Sequence, residues 1–214
     1  MTRIRSILAR GALLFGLLAL LGACVGPAEP IWATDEEVAR ARYVDDGPPT
    51  LTLMTVVSNR TGGGAHTALL INADERIIFD PAGTWYHPQL PERNDVHYGM
   101  SDQIVDFYVD YHTRVTYHTI IQTVQVTPAQ AAAAKRAAEA YGAVPKGQCA
   151  ISTGRILRQV PGFENMPVGF FPNVLQRAFA KVPGVETRIE RDFDSDDNSG
   201  MIQAPPALYL TQNR

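Results

Sequence analysis

The sequence predicts an α+β fold, an antiparallel sheet packed with helices, and three observations carry that prediction. From about Leu51 the chain runs through short β-rich segments separated by turns rich in Gly, Asn and Asp. Helical segments come later, each with recognisable start and stop residues. The composition, 45% hydrophobic and 19% charged in 214 residues, is globular and excludes wholesale disorder. That length suffices for one well-buried domain and is short for two.

The first 23 residues stand apart. Arg3, Arg5 and Arg10 precede an uncharged apolar run at 11–23, the pattern of an export signal and too short to span a bilayer. Removing those 23 residues, which hold three arginines and no acid, leaves 191 and moves the formal charge from −3 to −6. So acidic a chain gives no electrostatic reason to bind nucleic acid or anionic membrane surfaces. Residues 24–50 read as a tether, with Pro27 and Pro30 at its start and Asp45-Asp46-Gly47-Pro48-Pro49 at its end. Inside it Thr34-x-x-Glu37 is a capping box for a short helix through about Arg42.

The domain is expected at 51–191. Residues 51–57 alternate as a strand, the Gly-rich loop 59–64 follows, and 66–71 and 76–79 form a hairpin ending at Asp80-Pro81. Residues 83–100 read as a long loop, in which Trp85 and Tyr86 either line a cleft or cover the sheet edge. Residues 104–111 alternate Val105, Phe107, Val109 and Tyr111 with Asp106, Tyr108 and Asp110, which predicts a half-buried strand paired with another at 114–126. Thr127-Pro128 supplies an N-cap and a first-turn proline for a helix to about Tyr141, ended by Gly142. Further helices are expected at 149–159, stopped by Pro161-Gly162, and at 173–181, after Pro172. Residues 192–214 read as an acidic loop and tail. Asp192–Gly200 resembles a calcium loop superficially, but its glycine is misplaced and no closing glutamate follows, so a solvated loop is expected.

Two cysteines carry the chemistry. Leu21-Gly22-Ala23-Cys24 resembles a bacterial lipobox, in which the signal is cut before a cysteine that receives diacyl and N-acyl chains such as palmitate. Val25-Gly26 lacks the aspartate that retains some lipoproteins at the inner membrane, so an outer-membrane anchor facing the periplasm is expected. Cys149 then has no disulfide partner and calls for burial or a function. It sits at a predicted helix start, where free amides and the helix dipole favour thiolate, with Lys146 adding positive charge nearby. A thiolate nucleophile needs a base, and His66, His87, His97, His112 and His118 are the candidates. His66 stands out because it opens a strand directly after Gly62-Gly63-Gly64, where another chain or a substrate can approach closely. Its second ring nitrogen needs an orienting partner, and Asp80 ends the next strand. A three-residue hairpin loop at 72–74 sets Asp80 opposite His66; a two-residue loop turns it to the other face. His112 and His118 flank Arg114 and read as a solvent-facing pair without a complete set of metal ligands. No cofactor or metal is expected.

This order of residues resembles the circularly permuted papain-like enzymes. They are relatives of NlpC-type cell-wall peptidases and include the lecithin:retinol acyltransferase-like and YiiX-like proteins. The likeness spans about Leu51 to Ile189 and rests on the segments Ala65-His66-Thr67-Ala68-Leu69-Leu70-Ile71, Phe79-Asp80-Pro81-Ala82-Gly83 and Gln148-Cys149-Ala150. It extends to the late Phe171-Pro172 helix, and the Cys helix follows the His strand, as in the permuted group. The resemblance implies a thiol hydrolase or acyltransferase, with Cys149 as nucleophile, His66 as base and later acid, and Asp80 as orienter. Expected partners are the membrane, through the Cys24 lipid, and a cell-wall peptide or an acyl lipid as substrate. A non-catalytic envelope protein that uses the same cleft for binding is the rival reading.

Overall fold

The structure, a computed structural model, describes residues 27–203; the predicted signal at 1–23, Cys24 and residues 204–214 lie outside them. Seven strands form one antiparallel sheet: β1 Thr50–Ser58, β2 Gly64–Asn72, β3 Arg76–Phe79, β4 Glu92–Arg93, β5 Val96–Tyr98, β6 Tyr117–Gln125 and β7 Glu186–Glu190. Their order across the sheet is β4-β5-β3-β2-β1-β6-β7. The helices are α1 Asp35–Ala41, α2 Asp102–His112, α3 Pro128–Glu139, α4 Cys149–Leu157, α5 Pro172–Phe179 and α6 Ser199–Gln203. The α+β class and the antiparallel sheet predicted from the sequence are both present. Among the described residues no helix is long and apolar enough to cross a membrane.

Seven consecutive residues of β1, Leu51 to Val57, are buried, so the middle of the sheet is covered on both faces. On one face Leu53, Leu69, Ile71 and Phe79 pack with Ala134 and Ala138 of α3, Ile156 and Leu157 of α4, and Leu175 and Phe179 of α5. On the other, Met54, Ala68, Leu70 and Ile78 meet Val105, Phe107, Tyr108 and Tyr111 of α2. The Thr127 capping box and Pro128 start α3 as expected, and Gly142 follows its end at φ +87°.

Four sequence expectations are corrected. Residues 104–111 are not a strand but lie in α2, which Ser101 starts by accepting the Ile104 amide. In so apolar a stretch both periods fit. Val105 and Val109 fit alternation, and together with Tyr108 they also fit one helical face; covering the sheet's second face decides between the two. The strand expected to pair with this segment, β6, instead pairs with β1. Within the expected loop 83–100, β4 and β5 extend the sheet beyond β3. The β2–β3 loop is 73–75, so Ile71 pairs with Ile77 rather than residue 75. That two-residue shift keeps Asp80 on the His66 face but makes the pair diagonal rather than directly opposite.

Residues 27–50 hold to the domain instead of hanging as a tether. Ala33 donates to the Glu92 carbonyl (2.9 Å), Asn94 donates to that of Ile31 (3.0 Å), and the Arg93 guanidinium lies 4.8 Å from the Trp32 ring centre. Arg76, nearly buried, joins Asp45 and Asp102, the latter at 2.5 Å. The acidic loop is also fastened: Val115 donates to the Asp194 carbonyl at 2.9 Å and Asn198 to that of Tyr111 at 3.0 Å.

Gly64 lets α5 lie against the start of β2. A Cβ there would sit 2.5 Å from Asn173 Oδ1 and 2.8 Å from Pro172 Cβ, whereas one at Gly63 would meet only Thr61 Oγ1 at 3.2 Å. Gly64→Ala is expected to lower unfolding stability by about 1–3 kcal/mol in urea titrations, and Gly63→Ala by much less.

Candidate active site

Two irregularities aim the central side chains. In the β1–β2 ladder Val56 pairs with His66 but Val57 pairs with Gly64, so Ala65 is the extra residue of a bulge beside His66. Ahead of α4, Gly147 takes φ +81° and Gln148 caps the helix without a side-chain hydrogen bond, leaving Cys149 as the first helical residue. The backbone amides of Thr67 and Ala150 face the Cys149 sulfur and favour its ionised form. The first comes from β2 and the second from α4, so the thiol sits where the two elements meet.

His66, Asp80 and Cys149 come together. His66 Nε2 lies 2.6 Å from Asp80 Oδ1, and Cys149 interacts electrostatically with the same ring. With Nε2 occupied by the carboxylate, Nδ1 is the nitrogen left for the sulfur. Asp80 is buried, and its Oδ1 accepts a second hydrogen bond from the Tyr108 hydroxyl at 2.6 Å. Burial alone would pull the His66 imidazolium down, but the Asp80 charge and hydrogen bond, aided by Cys149, push its pKa up to about 10. Burial likewise opposes the Asp80 carboxylate, and the His66 charge outweighs it and holds the acid well below its usual range. For Cys149 burial favours the thiol, but His66 and the two amides outweigh it and lower the pKa. Cys149 therefore ionises more readily than an ordinary thiol, beside a His66 that holds its proton.

Sequence reasoning missed Tyr108 and His112. Reading α2 as a strand put Tyr108 on the solvent side with Asp106 and Asp110; as a helix it places Tyr108 and His112 one turn apart on the inner face. His112 donates from Nδ1 to the Tyr108 carbonyl at 2.8 Å, and its ring lies nearly parallel to that of His66, 5.7 Å between centres. Burial holds His112 neutral, with a pKa lowered to about 4. The Ser101 cap was the signal that separates helix from strand here.

The remaining histidines are occupied elsewhere. His97 is buried against Trp85 at 4.9 Å, His87 lies over Phe107, and His118 bonds Asn59 at 2.6 Å rather than facing His112. Lys146 pairs with Glu29 at 3.1 Å and contributes nothing resolved to the Cys149 shift. Trp85 is buried against Tyr108, and Tyr86 is half exposed beside a cavity of about 320 Å³ that Asp80, Glu92 and Lys146 also line. Among the described residues, two clusters each hold metal-ligand atoms within 4.8 Å of one another: His66, Asp80 and His112, and Asp110, Asp192 and Asp194. In the first, an ion would have to break the 2.6 Å hydrogen bond between base and carboxylate. In the second, Arg114 already lies 3.8 Å from Asp110 and 3.3 Å from Asp194.

Comparison with protein-family models, curated proteins and solved structures found no match. The chemistry of the site therefore rests on its own geometry: a polarised thiol, a base in contact with it, and a buried carboxylate behind the base.

Two outcomes are expected. Iodoacetamide reacts with thiolate, so the pH midpoint of Cys149 labelling should lie below 9, the ordinary thiol value, because its pKa is lowered. In His66→Ala only burial and the amides act, and the midpoint should rise above that of the unsubstituted protein. Separately, Tyr108→Phe deprives a buried carboxylate of one of two donors and should cost about 1–3 kcal/mol in denaturant unfolding.

Proposed function

We propose that this chain is a cysteine hydrolase of the permuted papain-like kind, acting through an acyl-enzyme on Cys149. The observation that carries the reading is the grouping of Asp80, His66 and Cys149, with a 2.6 Å hydrogen bond between the first two and the sulfur at the first residue of a helix beside the imidazole. In this mechanism the thiolate attacks a carbonyl carbon, and the carbonyl electron pair moves onto oxygen. The Cys149 amide, at the helix start, is the nearest donor for that oxyanion. As the tetrahedral species collapses, His66 gives its Nδ1 proton to the leaving nitrogen or oxygen. His66 then takes a proton from water, whose oxygen attacks the thioester and frees both acid and thiol. Asp80 keeps Nε2 protonated and the ring turned toward the sulfur throughout.

An amide is the substrate class we favour, with cell-wall peptide first. The support is the resemblance to NlpC-type peptidases together with a lipobox that would fix the protein in the bacterial envelope, at the outer membrane facing the periplasm. A second reading, an acyl-lipid hydrolase or acyltransferase, draws on the exposed Phe170 and Phe171 in the loop before α5.

The test is stoichiometric labelling with an electrophilic thiol probe. Labelling is expected in the unsubstituted protein, none in Cys149→Ser, and a slowing of about 10²-fold or more in His66→Ala. Asp80→Asn should slow it less, because the nucleophile and base remain. Folded, reduced protein that fails to label would overturn the hydrolase reading in favour of a binding protein. Digestion of purified cell-wall fragments against release of fatty acid from phospholipid then separates the two substrate classes.

A further inference from the structure

The surface flanking the site combines exposed aromatic side chains with cations. The loop before α5 and the outer face of that helix expose Val168, Phe170, Phe171 and Val174, with Phe170 60% and Phe171 72% accessible. Pro172, Leu175 and Phe179 meanwhile turn inward, so the helix is firmly seated and its apolar outer residues are not fraying core. Arg177 and Lys181 follow Val174 at intervals of three and four residues, and Arg60 stands in the turn whose Gly62 carbonyl accepts Asn173 Nδ2 at 2.6 Å. All three cations are exposed, and none is engaged by an acidic partner among the described residues. Exposed aromatics at one end of a helix, with unpaired basic residues toward its other end and in the adjoining turn, on an otherwise acidic protein form the pattern of an interfacial membrane contact.

The place of this surface matters as much as its make-up. A Cβ on Gly154 of α4, five residues beyond Cys149, would strike the Pro167 carbonyl, so the loop packs beside the Cys149 helix. Its other end rests on Gly64, two residues before His66. On the opposite flank, the chain's described start approaches the loop leading to Cys149, since Glu29 pairs with Lys146 at 3.1 Å. Cys24 precedes Pro27 by three residues, which can span no more than about 11 Å. The anchor position and the aromatic loop therefore bracket the Cys149–His66 pair.

We propose that residues 168–171, the outer face of α5 and Arg60 form a docking surface for a phospholipid bilayer, turning the Cys149 site toward the membrane. A lipid on Cys24 would hold the protein to the bilayer, and this surface would fix its orientation, so that the thiol meets substrates lying at the membrane surface. The acidic overall charge opposes binding to anionic lipid at long range, and the local cations and aromatics act only on contact. Docking does not depend on Cys149 being a nucleophile, so the two readings can fail separately.

The test uses the mature chain carrying Cys24→Ser, which removes the anchor and leaves only the surface. Flotation with phosphatidylethanolamine–phosphatidylglycerol vesicles is expected to recover a bound fraction. Phe170→Ser with Phe171→Ser should cut partitioning by roughly tenfold or more. Arg177→Ala with Lys181→Ala should weaken binding and flatten its salt dependence. Phe193→Ser serves as control: this side chain is 94% accessible, and it lies beside Asp194, which is tied to Arg114 and Val115. No binding of the Cys24→Ser chain, or equal loss in Phe193→Ser, would overturn the proposal. So would a concentration-dependent dimer abolished by the Phe170 and Phe171 substitutions, which would make a second copy the occupant.

Discussion

The arrangement depends on one buried carboxylate. The Asp80 side chain is buried, and a charge in that position is tolerated because His66 and Tyr108 both donate to the same oxygen. Those donors come from β2 and α2, while Asp80 itself follows β3, so a single atom ties together three segments distant in sequence. A helix on one face of the sheet thereby braces an imidazole that neighbours the thiol of α4, which packs on the other. Removing any one donor leaves charge stranded in an apolar setting, which makes the fold and the chemistry hard to alter separately.

What was legible in the sequence was mostly local. Thr34-x-x-Glu37 and Thr127-Pro128 specify helix starts through contacts within four residues, and both helices begin where those residues place them. Cys149 at a helix start was legible too, although Gln148 makes no side-chain cap there. Long-range register was not. The β2–β3 loop has turn-forming residues in several alignments, and burial on both faces of β2 removes the alternation that would have chosen among them. The short strands β4 and β5 depend on neighbours rather than on their own two or three residues.

The segment 104–111 shows how one wrong period hides a residue of the candidate site. Its apolar residues satisfy two repeats at once, and the wrong repeat sent Tyr108 and His112 to solvent. Only the sheet's need for cover on its second face, a property of the assembled domain, distinguishes them. His66, Asp80 and Cys149 were within reach of sequence reasoning because each sits at an element boundary marked by glycine or proline. Tyr108 sits mid-helix, where nothing local marks it.

The two borders of the sheet are treated differently. At β4 the incoming chain lays Trp32 against Arg93 and closes that side with main-chain hydrogen bonds. At β7 nothing described covers the border, and the strand instead carries Glu186, Arg188 and Glu190. Such alternating charge on an open strand discourages a neighbouring molecule from adding its own strand, because like charges would come into register and lose their water. One border is shut by backbone and the other by electrostatic repulsion, which lets copies crowd together without templating a continuous β-ribbon.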